Sequence, residues 1–194
     1  MSYFVIIRAM SKKILLVVDV QNDFDKGGVL PYTYPEKSNT EDICQYAART
    51  LLNGDYVVAT RDTHHDNYRE TLEGLNLPIP HCIHQTKGWE LVKGLMSFAY
   101  TGNGIQIFDK PTFGTPLVAE YIRGLMLGDE IDEIQVVGYM LSICVLANAV
   151  LLRAHFPNKR IKVIPALCGD VDKKSFEAAI AVLLNQQIEI ADSL

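Results

Sequence analysis

Cys144 lies in the stretch IQVVGYMLSICVLANAVLLRA, where an apolar, β-type run over residues 134–137 breaks at Gly138 and a helical pattern begins near the cysteine. Backbone N–H groups at a helix N-terminus lower a thiol's pKa and hold a developing oxyanion, the two requirements of nucleophilic attack on a carbonyl. Attack on an amide also needs a group that takes the thiol proton and delivers it to the departing nitrogen, and a cation that balances the charges that form. Asp19 and Lys110 have those chemistries, and each follows another apolar run. Taken singly, an aspartate at a strand end caps a turn, a lysine there is solvated, and an isolated cysteine belongs to a core. Three such groups placed alike favour a nucleophile, a proton carrier and a charge-balancing cation.

A second constellation occupies TRDTHHDNYRETLEGLNLPIPHCIHQTKGWEL. Asp62 and His64 form an Asp-x-His pair and His81 follows in Pro-His-Cys; a carboxylate with two imidazoles suits Zn²⁺, Fe²⁺ or Mn²⁺ with coordination positions left open. The segment 61–93 is rich in His, Pro, Gly and Thr, has little periodicity, and reads as a site-building loop.

The elements that must position these groups follow from the apolar pattern. Runs with β-branched residues recur at 14–18, 56–60, 105–108, 134–137 and 161–164, with a weaker one at 188–190, as in strands covered on both faces. Helical patterns lie between them at 41–52, 115–125, 144–155 and 174–185. The alternation predicts βαβ units wound into a doubly wound, three-layer α/β fold with a mainly parallel central sheet. In that architecture functional groups gather beyond the C-terminal strand ends, where Asp19, Asp62, Lys110 and Cys144 all fall.

With 194 residues, 48% of them hydrophobic, the chain suits one domain over residues 12–194, preceded by an extension over 1–11. The extension, MSYFVIIRAM and one residue more, reads as an edge strand or oligomer arm, or as sequence upstream of a natural start at Met10. A net charge of -5 argues against a basic nucleic-acid surface and for a small-molecule partner. No apolar stretch approaches the roughly 20 residues that span a bilayer. Four scattered cysteines without a CxxC pair, and no recognisable secretory leader, predict a reducing, cytoplasmic setting.

The segments ILLVVDVQNDF (14–24), FDKPTFGT (108–115) and VVGYMLSICV (136–145) resemble the isochorismatase-like cysteine hydrolase superfamily, and the resemblance runs from about residue 12 onward. It implies Cys144 as nucleophile with Lys110 and Asp19, and a cis peptide between Tyr139 and Met140 that lets the Met140 N–H join the Cys144 N–H in an oxyanion hole. The second constellation is similar to the nicotinamidase branch. That likeness implies metal ligation by Asp62, His64 and His81, with Glu73 as a fourth ligand and Glu70 in reserve. The ion expected is a divalent transition metal, Zn²⁺ first with Fe²⁺ or Mn²⁺ open, holding a substrate pyridine nitrogen directly or through water. Phe24 and Phe113 match the branch's substrate-stacking positions.

Departures from the pattern are specific. Thr63 and Pro78 stand where many members of the branch carry Trp, which thins the aromatic wall. Leu141 and Ser142 replace a frequent Thr-Asp pair, so the hydrogen bonds that buttress the nucleophile's turn are expected to be missing. Cys44, Cys82 and Cys168 read as structural, His65, His84 and His155 as surface or loop histidines, with His65 a rival to His64 for the metal, and Trp89 as loop packing or a pocket wall. The leading expectation is an amidohydrolase that converts nicotinamide or a related small amide to the acid and ammonia through a thioester, working as a homo-oligomer. The alternatives are a carbamoyl or ureido amidase of the superfamily and a non-catalytic binding protein that kept the fold; vinyl-ether hydrolysis of isochorismate does not call for this cysteine.

Overall fold

A computed structural model of the chain describes residues 11–99 and 104–191; the extension expected over 1–11 lies, except for Ser11, outside the described residues. Six strands, β1 (Lys12–Val18), β2 (Tyr56–Asp62), β3 (Gln106–Lys110), β4 (Ile131–Gly138), β5 (Arg160–Cys168) and β6 (Glu189–Ile190), pair in parallel in the order β3-β2-β1-β4-β5-β6. The helices are α1 (Thr40–Leu52), α2 (Leu72–Asn76), α3 (Lys93–Ala99), α4 (Pro116–Leu125), α5 (Leu146–His155) and α6 (Lys173–Asn185).

The apolar run of β1 is continuous because both of its faces are covered. Ile14, Leu16 and Val18 join one core with Ile122 of α4, Leu152 of α5 and Leu183 of α6, whereas Leu15 and Val17 join a second core with Ile43 of α1 and Leu95 of α3. All five β1 side chains are fully buried, and each contributes about 1.5–3 kcal/mol to folding. The three-layer, doubly wound α/β fold expected from the alternation is the fold observed.

The winding direction reverses between β1 and β4: the chain runs outward through β2 to β3 on one side, then returns to β4 beside β1 and runs outward to β6. A crevice at the C-terminal ends of the strands forms at such a reversal. Asp19 follows β1, Asp62 and Lys110 are the last residues of β2 and β3 and lie in register, and Val18 pairs with Gly138 at the end of β4.

Several elements differ from the periodicity reading. β2 and β3 run two residues past their apolar cores because Arg61 and Asp109, partners across the ladder, form an ion pair at 2.7 Å, and because Gln21 Oε1 accepts the Asp62 N–H at 2.7 Å. The loop 61–93 contains a 3₁₀ turn (Tyr68–Glu70) and α2, capped by Thr71, whose hydroxyl accepts the Gly74 N–H. α3, with only two turns and one buried side chain, Leu95, is too short to show a helical period in the sequence. The helix expected over 144–155 is preceded by a π-type turn (Leu141–Val145) in which the Val145 N–H reaches back five residues to the Met140 carbonyl.

Gly138 has φ +120°, and a Cβ there would lie 2.1 Å from the Val18 carbonyl oxygen, in the ladder that carries the site. Gly138→Ala is therefore expected to cost at least about 2 kcal/mol in urea-induced unfolding, through both forbidden backbone and steric overlap; wild-type stability would contradict that packing.

Candidate active site

Lys110 is fully buried at the end of β3, its stem enclosed and its ammonium facing the adjoining strand ends. Its Nζ lies 2.7 Å from Asp19 Oδ2, 3.5 Å from Asp62 Oδ1 and 3.5 Å from Cys144 Sγ. Asp19 is fully buried too, and its Oδ1 accepts the Thr60 hydroxyl from β2 at 2.7 Å. The Asp19 backbone adopts φ +51°, a left-handed conformation that Asp tolerates better than most residues and that re-aims the chain as it leaves β1. The three residues expected to work together on an amide are thus in mutual contact.

Their protonation follows from burial. Loss of solvent raises the Asp19 carboxyl above its usual range, although Lys110 pulls it down. Burial opposes the charged form of Lys110, yet Asp19, Cys144 and Asp62 together hold it firmly as ammonium. Burial and the Asp19 carboxylate push the Cys144 thiol well above the ordinary range, and Lys110 pulls the other way. Burial beside Asp19 thus works against the thiolate that the helix N-terminus and Lys110 favour.

Asp62, His64, Glu73 and His81 form the second constellation, their ligand atoms all within 4.8 Å of one another. Asp62 Oδ2 is 3.0 Å from His64 Nε2 and 3.4 Å from His81 Nε2, and Glu73 Oε1 lies 3.5 and 3.6 Å from the same nitrogens. His81 Nδ1 faces the Ile79 carbonyl at 2.8 Å, which assigns the Nδ1–H tautomer and turns the Nε2 lone pair toward the cluster. Burial disfavours a charged His64, but the bonds to Asp62 and Glu73 raise its pKa to about 9, so the cluster draws positive charge. Two imidazoles and two carboxylates fit a borderline divalent cation such as Zn²⁺. Glu73, on α2, joins this group and Glu70 does not; His65 turns its ring to His84 at 5.4 Å and stays outside as well.

Asp62 belongs to both constellations, with Oδ1 toward Lys110 and Oδ2 toward the histidines. Beside the cluster opens a cleft of about 540 Å³, lined by His64, Glu73, Leu72, Leu77, Phe113 and Ile143 among others. Phe113 is 48% exposed on its rim, whereas Phe24 is buried and tilted against the His81 ring at 5.4 Å. Trp89 is loop packing: Arg61 stacks on it at 3.6 Å, and its indole N–H donates to the Thr63 hydroxyl at 2.8 Å.

The Tyr139–Met140 peptide is cis, as the resemblance implied. The expected loss of buttressing around Leu141 and Ser142 is overturned: Asp170, from the loop after β5, accepts both the Ser142 N–H at 2.7 Å and its hydroxyl at 2.8 Å. Other supports also escaped the sequence reading. Gln21 donates to the Asp62 and Trp89 carbonyls, Asp23 accepts the Cys82 N–H beside His81, and Asn148 donates to the Cys144 carbonyl. Gln21 and Asp23 stand within the quoted segment 14–24 and Asn148 within the stretch quoted around Cys144, so only Asp170 carried no local signal. Cys44, Cys82 and Cys168 are buried and unpaired, consistent with structural roles.

The profile of the isochorismatase domain matches residues 13–193. The nicotinamidase/pyrazinamidase of Mycobacterium tuberculosis is 33% identical over 149 residues, covering 70% of this chain and 75% of the relative. Among solved structures, the nicotinamidase/pyrazinamidase of Bacillus subtilis superposes with a TM-score of 0.78 at 24% identity, covering 93% of this chain and 100% of the other. The pyrazinamidase of Pyrococcus horikoshii, solved in complex with zinc, gives 0.73 at 24% identity over 93% and 98%. On the length of the profile match and the identity to the mycobacterial relative, the chain belongs to the isochorismatase-like superfamily, within its nicotinamidase branch.

Proposed function

We propose that this chain is a cysteine-dependent amidohydrolase that converts nicotinamide, or a closely related small heteroaromatic carboxamide, to the carboxylic acid and ammonia. The observation that carries the reading is the position of Lys110, whose single ammonium touches the thiol, its proton acceptor and the carboxylate that reaches into the histidine cluster. Cys144 Sγ attacks the carboxamide carbon while Asp19 takes the thiol proton, so that no free buried thiolate has to persist. The Met140 and Cys144 N–H groups donate to the oxyanion that forms. Asp19 then returns the proton to the amide nitrogen, the C–N bond breaks, and ammonia leaves a thioester on Cys144. Water attacks the thioester, Asp19 takes its proton, and the acid departs as the thiol re-forms. Lys110 remains an ammonium throughout and keeps the Asp19 and Asp62 carboxylates ionised between transfers.

Asp62, His64, Glu73 and His81 would hold a divalent transition metal, Zn²⁺ before Fe²⁺ or Mn²⁺ on donor chemistry. When bound, such an ion supplies an electrophilic anchor for a ring nitrogen, which orients the carboxamide toward Cys144. Phe113 offers an aromatic wall to the ring from the cleft rim, and Phe24 steadies His81 from behind. The four unpaired cysteines fit a reducing compartment. Among the described residues no helix is long and apolar enough to cross a membrane.

Cys144→Ala should lower ammonia release from nicotinamide by at least about a thousandfold with the fold intact, and Asp19→Asn should be nearly as damaging, since an amide cannot carry the proton. Turnover by Cys144→Ala within tenfold of wild type would end the proposal, and ureido compounds in the same assay would expose a different substrate class. The pH profile has a definite sign. Attack needs Asp19 ionised and the thiol protonated, so kcat/KM should rise with pH through the raised Asp19 pKa and fall only beyond the ordinary thiol range. Activity undiminished down to the usual aspartate range would count against Asp19 as acceptor.

Elemental analysis should find about one equivalent of transition metal per chain, lost in His81→Ala. That variant should raise KM for nicotinamide by about tenfold or more while iodoacetamide labels Cys144 at close to the wild-type rate, because substrate placement and not thiol chemistry is lost. Metal-free wild type with full activity would refute the assignment.

A further inference from the structure

The helical segment that carries Cys144 begins without a cap of its own. Its N-cap position is Met140, which makes no side-chain capping bond, so the first N–H groups must find acceptors elsewhere. The Leu141 N–H goes to the Gly169 carbonyl at 2.8 Å and the Ser142 N–H to Asp170 Oδ2 at 2.7 Å, while the Ile143 and Val145 N–H groups share the Met140 carbonyl at 3.1 Å each. The Met140 N–H makes no hydrogen bond among the described residues. Asp170 is fully buried, and its carboxylate is saturated by this turn and its own loop: Oδ1 accepts the Ser142 hydroxyl at 2.8 Å and the Val171 N–H at 2.7 Å. Its backbone is strapped in turn to Tyr34, with N–H to carbonyl distances of 2.7 and 3.0 Å.

We propose that Asp170 is a positioning residue for the reaction: by capping the π-type turn from the loop after β5, it fixes the Met140 and Cys144 N–H groups where the oxyanion forms. The inference rests on the amidase reading, but it concerns how the turn is held and is testable without the natural substrate. Asp170 does not touch the thiol's proton relay of Asp19 and Lys110. Its removal should therefore impair steps that build a tetrahedral oxyanion and spare those that do not.

p-Nitrophenyl acetate acylates a thiol through an oxyanion, whereas iodoacetamide alkylates it by displacement without one. In Asp170→Asn, acylation of Cys144, read as the nitrophenolate burst, should slow by at least about tenfold, with iodoacetamide labelling within about twofold of wild type. The transposed pair Ser142→Asp with Asp170→Ser, which keeps a carboxylate and a hydroxyl facing each other at the helix N-terminus, should recover acylation to within about threefold of wild type. Wild-type acylation by Asp170→Asn, or equal slowing of both reagents, would overturn the proposal. Should Asp170→Asn fail to fold, the transposed pair decides alone: folded and acylating supports the assignment, folded and not acylating overturns it. A wild-type protein that shows the burst but hydrolyses no carboxamide would refute the proposed function and leave this test standing.

Discussion

An ammonium sealed from water governs this site. Moving such a charge into a dry interior costs several kcal/mol unless it is met by opposite charge at close range. Lys110 has no solvent exposure, so Asp19 at 2.7 Å and Asp62 at 3.5 Å are conditions of its burial. Those conditions tie β1, β2 and β3 together at their C-terminal ends. They also make the neighbourhood of Cys144 one in which a proton moves between neighbours at little electrostatic cost, because the total charge of thiol, carboxyl and ammonium stays constant as it does so.

Asp62 extends this balance into the histidine cluster. One oxygen answers Lys110 and the other faces His64 and His81, so the charge state of the cluster is felt at Lys110, Asp19 and Cys144 through a single carboxylate. Gln21 clamps the Asp62 backbone in both directions, accepting its N–H and donating to its carbonyl. The consequence is rigidity: a substrate ring docked at the cluster and a carboxamide presented to the thiol would be referenced to the same strand end.

The turn that carries Cys144 is held by different means. The chain leaves β4 through Gly138 in a conformation closed to other residues, passes the cis peptide, and enters a π-type turn whose N–H groups are distributed between Met140, Gly169 and Asp170. The β5 loop thus supplies the cap that Leu141 and Ser142 do not provide locally. A carboxylate at a helix N-terminus is favourable wherever in the chain it originates, so two departures from a local pattern need not mean a loosened site.

Much was legible in the chain itself. Apolar runs of β-branched residues alternating with helical periodicity determined a parallel, doubly wound sheet, because strands buried on both faces must be apolar throughout; that sheet in turn put Asp19, Asp62, Lys110 and Cys144 at one edge. The Asp-x-His spacing of Asp62 and His64 was a weak mark by itself, and it was the resemblance that joined His81 to them as one cluster. What the sequence could not settle depends on distance through space. Glu73 was preferred to Glu70 by resemblance alone, and it is the cap and rotation of α2 that turn Glu73 inward. The Cys144 thiol looks activated beside a helix N-terminus, yet burial next to Asp19 pushes its pKa the other way, upward. Asp170 lies 28 residues from Ser142, in a loop with no motif, and only the strapping of that loop against Tyr34 and Gly138 brings its carboxylate to the turn. Periodicity reports which face of an element is dry; which polar groups meet across the crevice is decided by the packing of elements far apart in the chain.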